Sequence, residues 1–180
     1  DLLMVHPAVI DGFRHRSGIF TDTVRLALDY TAQWTQQLID ATIKTDTFKD
    51  TDFIILSDHG QMNTDRIVNL NVILKEAGFI KTDEDENVLS WQAWAKSAGM
   101  TAQIYLQNPE DKDLGKAVKR CLDACSRDGV YGIERVFTLE EVEEEEHFSG
   151  NFSFVIESDG LTSFGPDWRR PLMKQYDLKD

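Results

Sequence analysis

The chain has 180 residues, 41% of them hydrophobic, with 19 Lys and Arg against 32 Asp and Glu and a formal net charge of -13. That length and apolar fraction suffice for one packed domain, or for a catalytic body with a small subdomain. The acidity excludes nucleic-acid duplexes and anionic membrane surfaces as partners, yet it tolerates a small phosphorylated substrate, because a bound metal ion reverses the local field.

Leu2 to Ile10 is an apolar run with β-branched residues and Pro7, which predicts a buried strand ending near Pro7 and leaves Asp11 just past its end. From Thr21 to about Lys44, Val24, Ala27, Leu28, Thr31, Trp34, Leu38 and Ile39 recur at helical spacing, with Asp22 placed to favour the helix N-terminus. Asp52 to Ser57 is continuously apolar and too short for a helix, so it predicts a second strand. Strand, helix, strand then makes a parallel crossover unit that puts Ser57 to Gly60 at a strand C-terminus, where open α/β sheets hold their ligands.

Leu70 to Ala77 reads as a short helix closed by Gly78, and Phe79 to Ile80 as a short strand. Lys81 to Asn87 is a polar, mostly acidic connection, after which the character of the chain changes. Strands are expected at Ala102 to Leu106, Val130 to Thr138 and Phe152 to Glu157, with a helix over Glu110 to Ser126. The expected organisation is therefore a motif-bearing α/β core over 1–80, a small α+β subdomain over 81–158 and a return segment towards the core over 159–180. The acidic run Glu140 to Glu146 reads as a solvated face. Cys121 and Cys125 share one helix face, where a disulfide cannot form without distortion, and read as reduced thiols. No signal peptide, lipidation motif or long apolar run is visible, which predicts a cytoplasmic protein without membrane contact.

Two phrases carry chemistry, Asp11-Gly-Phe-Arg-His15 and Ser57-Asp58-His59-Gly60. A hard or borderline divalent ion needs carboxylate oxygen and imidazole nitrogen aimed at one point. Four-residue spacing lets Asp11 and His15 share one side of a helical turn, and Gly60 frees the backbone beside Asp58 and His59. Either phrase alone reads more readily as a turn former or helix cap. Together, after two predicted strands separated by one helix, they read as two halves of a dinuclear metal site. The other histidines, His6 beside Pro7 and His147 after the acidic run, read as structural or surface residues. Trp91 and Trp94 read as packing before they read as a platform for a nucleobase or sugar, and Arg169 and Arg170 as surface cations.

The order Asp-x-x-x-His-x-x-Gly, a long helix, an apolar strand and Ser-Asp-His-Gly resembles the alkaline phosphatase superfamily, and within it the type I phosphodiesterase and nucleotide pyrophosphatase branch. Asn69 to Leu74 with Ala77 to Ile80, and Asp159 to Phe164, resemble later segments of that branch. The resemblance implies an α/β fold with a mostly parallel sheet flanked by helices and a small inserted α+β subdomain. It implies two divalent ions, zinc first and manganese second, with Asp11 and His15 on one and Asp58 and His59 on its neighbour. It further implies hydrolysis of a phosphodiester or pyrophosphate bond in a small phosphorylated substrate, nucleotides included, through a phosphorylated Thr or Ser. Arg14 stands where members commonly carry Gly. The family's nucleophile is expected upstream of Asp1, together with one metal-binding Asp, and a third metal-binding His is expected after Asp180. No catalytic residue is therefore expected within the chain, which reads as an inactive fragment that does not hold both ions by itself. Thr21 and Ser57 are poor nucleophiles, one opening a helix and the other ending a strand. Two alternatives remain open, a cofactor-independent phosphoglycerate mutase or phosphopentomutase relative and a non-catalytic binding module on the same scaffold, as does the oligomeric state.

Overall fold

The computed structural model describes residues 2–176. Asp1, where the expected core segment 1–80 begins, and residues 177–180, the last of the expected return segment, lie outside the described residues. The chain divides into two compact units, the first ending at Asn63 and the second beginning at Thr64. The fold is mixed α/β, with five α-helices and a parallel strand pair among the described residues.

In the first unit, α1 spans Val9–Ser17 and α2 spans Asp22–Lys44, followed by a short 3-10 turn at Phe48–Asp50. The α2 expectation holds almost to the residue. Thr21 is its N-cap, accepting a hydrogen bond from the Val24 N–H at 3.3 Å, and Lys44 sits in its last turn, where a cation suits the helix dipole. The two strands expected around it do not form. Residues 2–7 have no regular structure, and Val9 onward is helical, with Asp11 in the first turn and Arg14, His15 and Arg16 in the last. That charge order complements the helix dipole, and Gly18, at φ 85°, ends the helix with its N–H bonded to the Arg14 carbonyl. Asp52 to Ser57 is likewise irregular, and Ile54, Ile55 and Leu56 are 83%, 77% and 78% exposed. An apolar run specifies burial rather than pairing, and a buried parallel strand needs ladder partners and covered faces. Among the described residues the first unit contains no strand to supply them.

The second unit holds β1 (Arg66–Asn69), α3 (Leu70–Glu76), β2 (Ile80–Thr82), β3 (Val88–Trp91), β4 (Ala93–Ala98) and β5 (Thr101–Leu106). It continues with α4 (Lys112–Asp128), β6 (Ile133–Thr138), α5 (Leu139–Glu146), β7 (Phe154–Ser158), β8 (Thr162–Gly165) and β9 (Met173–Gln175). Three sheets result: β8-β1-β9, with β1 parallel to β8; the hairpin β2-β3; and an antiparallel sheet in the order β4-β5-β7-β6. Because β7 lies between β5 and β6, α4 is the crossover of a split β-α-β unit. The main core joins most of these pieces: Val68, Leu70 and Leu74 pack with Ile104, Val118, Leu122 and Ile156, all 1% exposed or less, while Phe137, Val142, Phe152 and Val155 form a smaller cluster under α5. The segment 64–80 therefore shares its core with the elements that follow it.

Asn71 shows how this core is closed. It is fully buried, yet its Nδ2 donates to the Ala95 carbonyl and its Oδ1 accepts the Ala95 N–H, both at 2.8 Å, so a side chain completes the backbone bonding of β4. Asn69 plays the same part for residues 166–171, donating to the Pro171 carbonyl at 3.0 Å and accepting the Asp167 N–H at 3.3 Å. Its side chain passes so close to Gly165 that a Cβ there would lie 2.1 Å from the Asn69 Oδ1.

Candidate metal site

Both chemical phrases fall in the first unit. The turn of α1 between Asp11 and His15 places the His15 Nε2 3.3 Å from the Asp11 Oδ1, with both side chains open to solvent. In the second phrase the Ser57 hydroxyl donates to the His59 carbonyl at 2.7 Å and the His59 N–H donates to the Asp58 Oδ1 at 3.1 Å. The His59 Nδ1 lies 2.8 Å from the Gly60 carbonyl, and a proton held there leaves the Nε2 lone pair free for a ligand. That Nε2 is 3.7 Å from the Asp58 Oδ2.

Electrostatics follow from these contacts. The backbone N–H of Asp58 itself, then the His59 charge and N–H and the His6 charge, hold the Asp58 carboxyl below its ordinary value against desolvation. The Gly60 carbonyl, then the Asp58 charge, raise the His59 imidazole, and Asp11 adds to the rise. Asp11 thus lies near enough to the second phrase for its charge to act there.

One residue that sequence reasoning passed over, Gln61, bridges to the first phrase, of which Arg14 is part, and His6 lies beside the second. The Gln61 Nε2 donates to the Asp11 Oδ1 at 2.7 Å, and its Oε1 accepts from the Arg14 Nη1 at 3.3 Å, so one amide ties α1 to the segment after Gly60. The Arg14 Nε is buried without a partner, the single such side-chain atom among the described residues. His6, read from its neighbour Pro7 as structural, has its Nε2 3.5 Å from the Asp58 Oδ2. Position beside Gly60 was the available signal for Gln61; His6 carried none. His147 is exposed at the end of α5, away from both phrases in sequence and in a different unit. Asp1 and Asp180, the two residues that bound the expectation of a nucleophile and further ligands beyond them, both lie outside the described residues.

As donors, two carboxylates and two imidazoles fit zinc or manganese. They stand as two open pairs: among the described residues no group of three or more His, Cys, Asp or Glu has the arrangement of a metal-ion cage. No helix among the described residues is long and apolar enough to cross a membrane.

The family match makes the class of this mixed α/β chain a phosphoesterase-type hydrolase of the alkaline phosphatase superfamily. The profile of the type I phosphodiesterase / nucleotide pyrophosphatase family matches residues 1–170, and the chain belongs to that family. No curated protein and no solved structure matches it.

Proposed function

We propose that the chain carries the inner part of the metal centre of a hydrolase that cleaves phosphodiester or pyrophosphate bonds in a small phosphorylated substrate, a nucleotide being the favoured class. The observation that carries this reading is that Gln61, two residues after His59, donates to Asp11 of the other Asp-His pair, in a chain of this family. Asp11 and His15 would hold one divalent ion and Asp58 and His59 the other, with zinc ahead of manganese. When bound, such ions supply Lewis-acid stabilisation of the phosphoryl oxygens and an activated nucleophile. The residues in hand do the positioning. Gln61 fixes the Asp11 carboxylate with an amide N–H, and the Gly60 carbonyl orients the His59 ring, the supporting roles that tune metal ligands elsewhere.

The nucleophile of this reading is a Thr or Ser upstream of Asp1, phosphorylated during turnover. Two hydroxyls nearby are already engaged: Thr21 caps α2, and Ser57 donates to the His59 carbonyl. The isolated chain is therefore expected to bind zinc without catalysing. Calorimetry should show zinc binding that Asp58→Ala and Gln61→Ala, acting on different pairs, each weaken about tenfold, while a chromogenic phosphodiester with excess zinc or manganese gives no turnover above the metal blank. Robust turnover lost in Asp58→Ala would place the nucleophile within the chain. A second reading, a non-catalytic binding module, is favoured by the absence of a three-ligand group among the described residues. It predicts no zinc binding at all.

A further inference from the structure

The second unit contains a recess, remote in sequence from the metal motifs, that their chemistry does not use. It measures about 510 Å³ and is lined by Val88, Trp91, Trp94, Lys96 and Tyr105. Sheet register explains why these side chains gather. On β4, Ala93 and Ala95 point into the core, so Trp94 and Lys96 share the opposite face; Trp94 is paired across the ladder with Tyr105 and Lys96 with Gln103. Trp91 arrives from the end of β3, whose hairpin partner at that position is Ile80. Trp168 braces the arrangement from outside the recess, its ring centroid 5.7 Å from that of Trp94, and donates its own indole N–H to the Glu86 carbonyl.

The polar groups of the recess are biased towards donors. Lys96 enters none of the ion pairs among the described residues, whereas Lys75 and Lys119 are paired with Glu86 and Asp123. The Trp91 and Trp94 indole N–H groups have no protein acceptor among the described residues, and neither is a buried unsatisfied atom, so both remain open to a ligand. The Tyr105 hydroxyl donates to the Gln103 Oε1 at 2.8 Å. In a chain of net charge -13, a concave aromatic surface whose single charged lining group is a free ammonium is complementary to an anion. The aromatic walls add a requirement for a flat apolar body, which stacks on indole and phenol rings.

We infer that this recess is a binding site for a small planar aromatic anion, the ring lying among Trp91, Trp94 and Tyr105 and the anionic group meeting Lys96. A phosphate or a carboxylate satisfies the same chemistry. The site is independent of the metal motifs, so it stands or falls separately from the hydrolase reading.

Tryptophan fluorescence titrations of the whole chain in EDTA, which removes any contribution of metal, test it with adenosine 5′-monophosphate and 2-naphthoate as probes. Adenosine supplies the ring without the anion, and ribose 5-phosphate the anion without the ring. At least one probe should quench saturably and bind about tenfold tighter than either control, and the exposed change Lys96→Gln should weaken that probe about tenfold without altering the circular dichroism. Trp94→Phe keeps an aromatic in the cross-strand pair and should retain weakened binding, while Trp94→Leu should lose it. Binding of the nucleotide alone assigns a phosphate ligand, and of naphthoate alone a carboxylate. No saturable binding by either probe, or unchanged affinity in Lys96→Gln, overturns the assignment.

Discussion

Asp159 illustrates how single groups set the acid stability of the second unit. Burial pushes its carboxyl up, but the Leu161 N–H, the Thr162 hydroxyl and the Arg66 charge outweigh burial and leave it below the ordinary value. A carboxyl depressed in the folded state contributes stability that is present above its unfolded value and is lost as pH falls through the folded value. Urea unfolding midpoints should therefore stay level near neutrality and drop below about pH 4. Asp159→Asn should make that limb shallower and cost about 2 kcal/mol at neutral pH, because Arg66, whose Nη2 lies 2.8 Å from Asp159, loses its charged partner. The cysteines separate in the same way. A hydrogen bond from Cys125 lowers the Cys121 thiol to about 7, whereas that bond and burial raise Cys125. Iodoacetamide should accordingly label Cys121 first, with a rate rising through about pH 7. Mass spectrometry that found Cys125 modified first would contradict this order. That both thiols are free was readable from their spacing; their difference in acidity comes first from the hydrogen bond between them, which spacing alone does not give.

At the scale of elements, local chemistry decided what could be foreseen. The acidic run folds as α5 because Thr138 and Glu141 form a capping box, each side chain bonding the other's backbone N–H, and because Arg135 pairs with Glu145 at 2.6 Å. Thr138→Ala should lower stability by about 1 kcal/mol and reduce helical circular dichroism; an unchanged unfolding midpoint would mean that the cap is redundant with packing through Val142. The helices α2, α3 and α4 were legible for the same reason, each carrying its periodic apolar face and end signals within its own residues. Strands β1, β4 and β8 were not. Ala93 to Ala98 is poor in β-branched residues and becomes a strand because Asn71 and β5 bond its backbone from distant parts of the chain. The opposite error befell residues 2–7 and 52–57, whose composition says strand while the first unit offers no ladder partner. Within each phrase the contacts are local and do not depend on those strands: Asp11 and His15 meet on a helix as they would in a turn, and Asp58 and His59 are adjacent on any backbone.

For the molecule as a whole, the two units differ in how their stability is founded. The second has a continuous core drawn from sheets and helices on both sides of residue 80. In the first, Val24 and Ala27 are the hydrophobic residues buried among those described, while Leu2, Leu3, Met4, Ile54, Ile55 and Leu56 are exposed. Resistance to opening scales with the apolar area that opening exposes, so the free energy of local opening should differ sharply between them. Native-state hydrogen exchange should find the amides of β5 and β7, central in their sheet, exchanging only through global unfolding of the second unit. Amides of 53–56 should exchange orders of magnitude faster, at rates near those of an unstructured peptide. Chymotrypsin under native conditions should cut first at Phe53 or Leu56, which combine its preferred side chains with irregular, exposed backbone, and leave a resistant product containing the second unit. Protection at 53–56 equal to that of β5 would mean that these residues are covered in solution. The metal motifs flank this low-stability stretch, so added zinc should slow exchange at Asp58 and His59 if those residues bind it, with no change in β5.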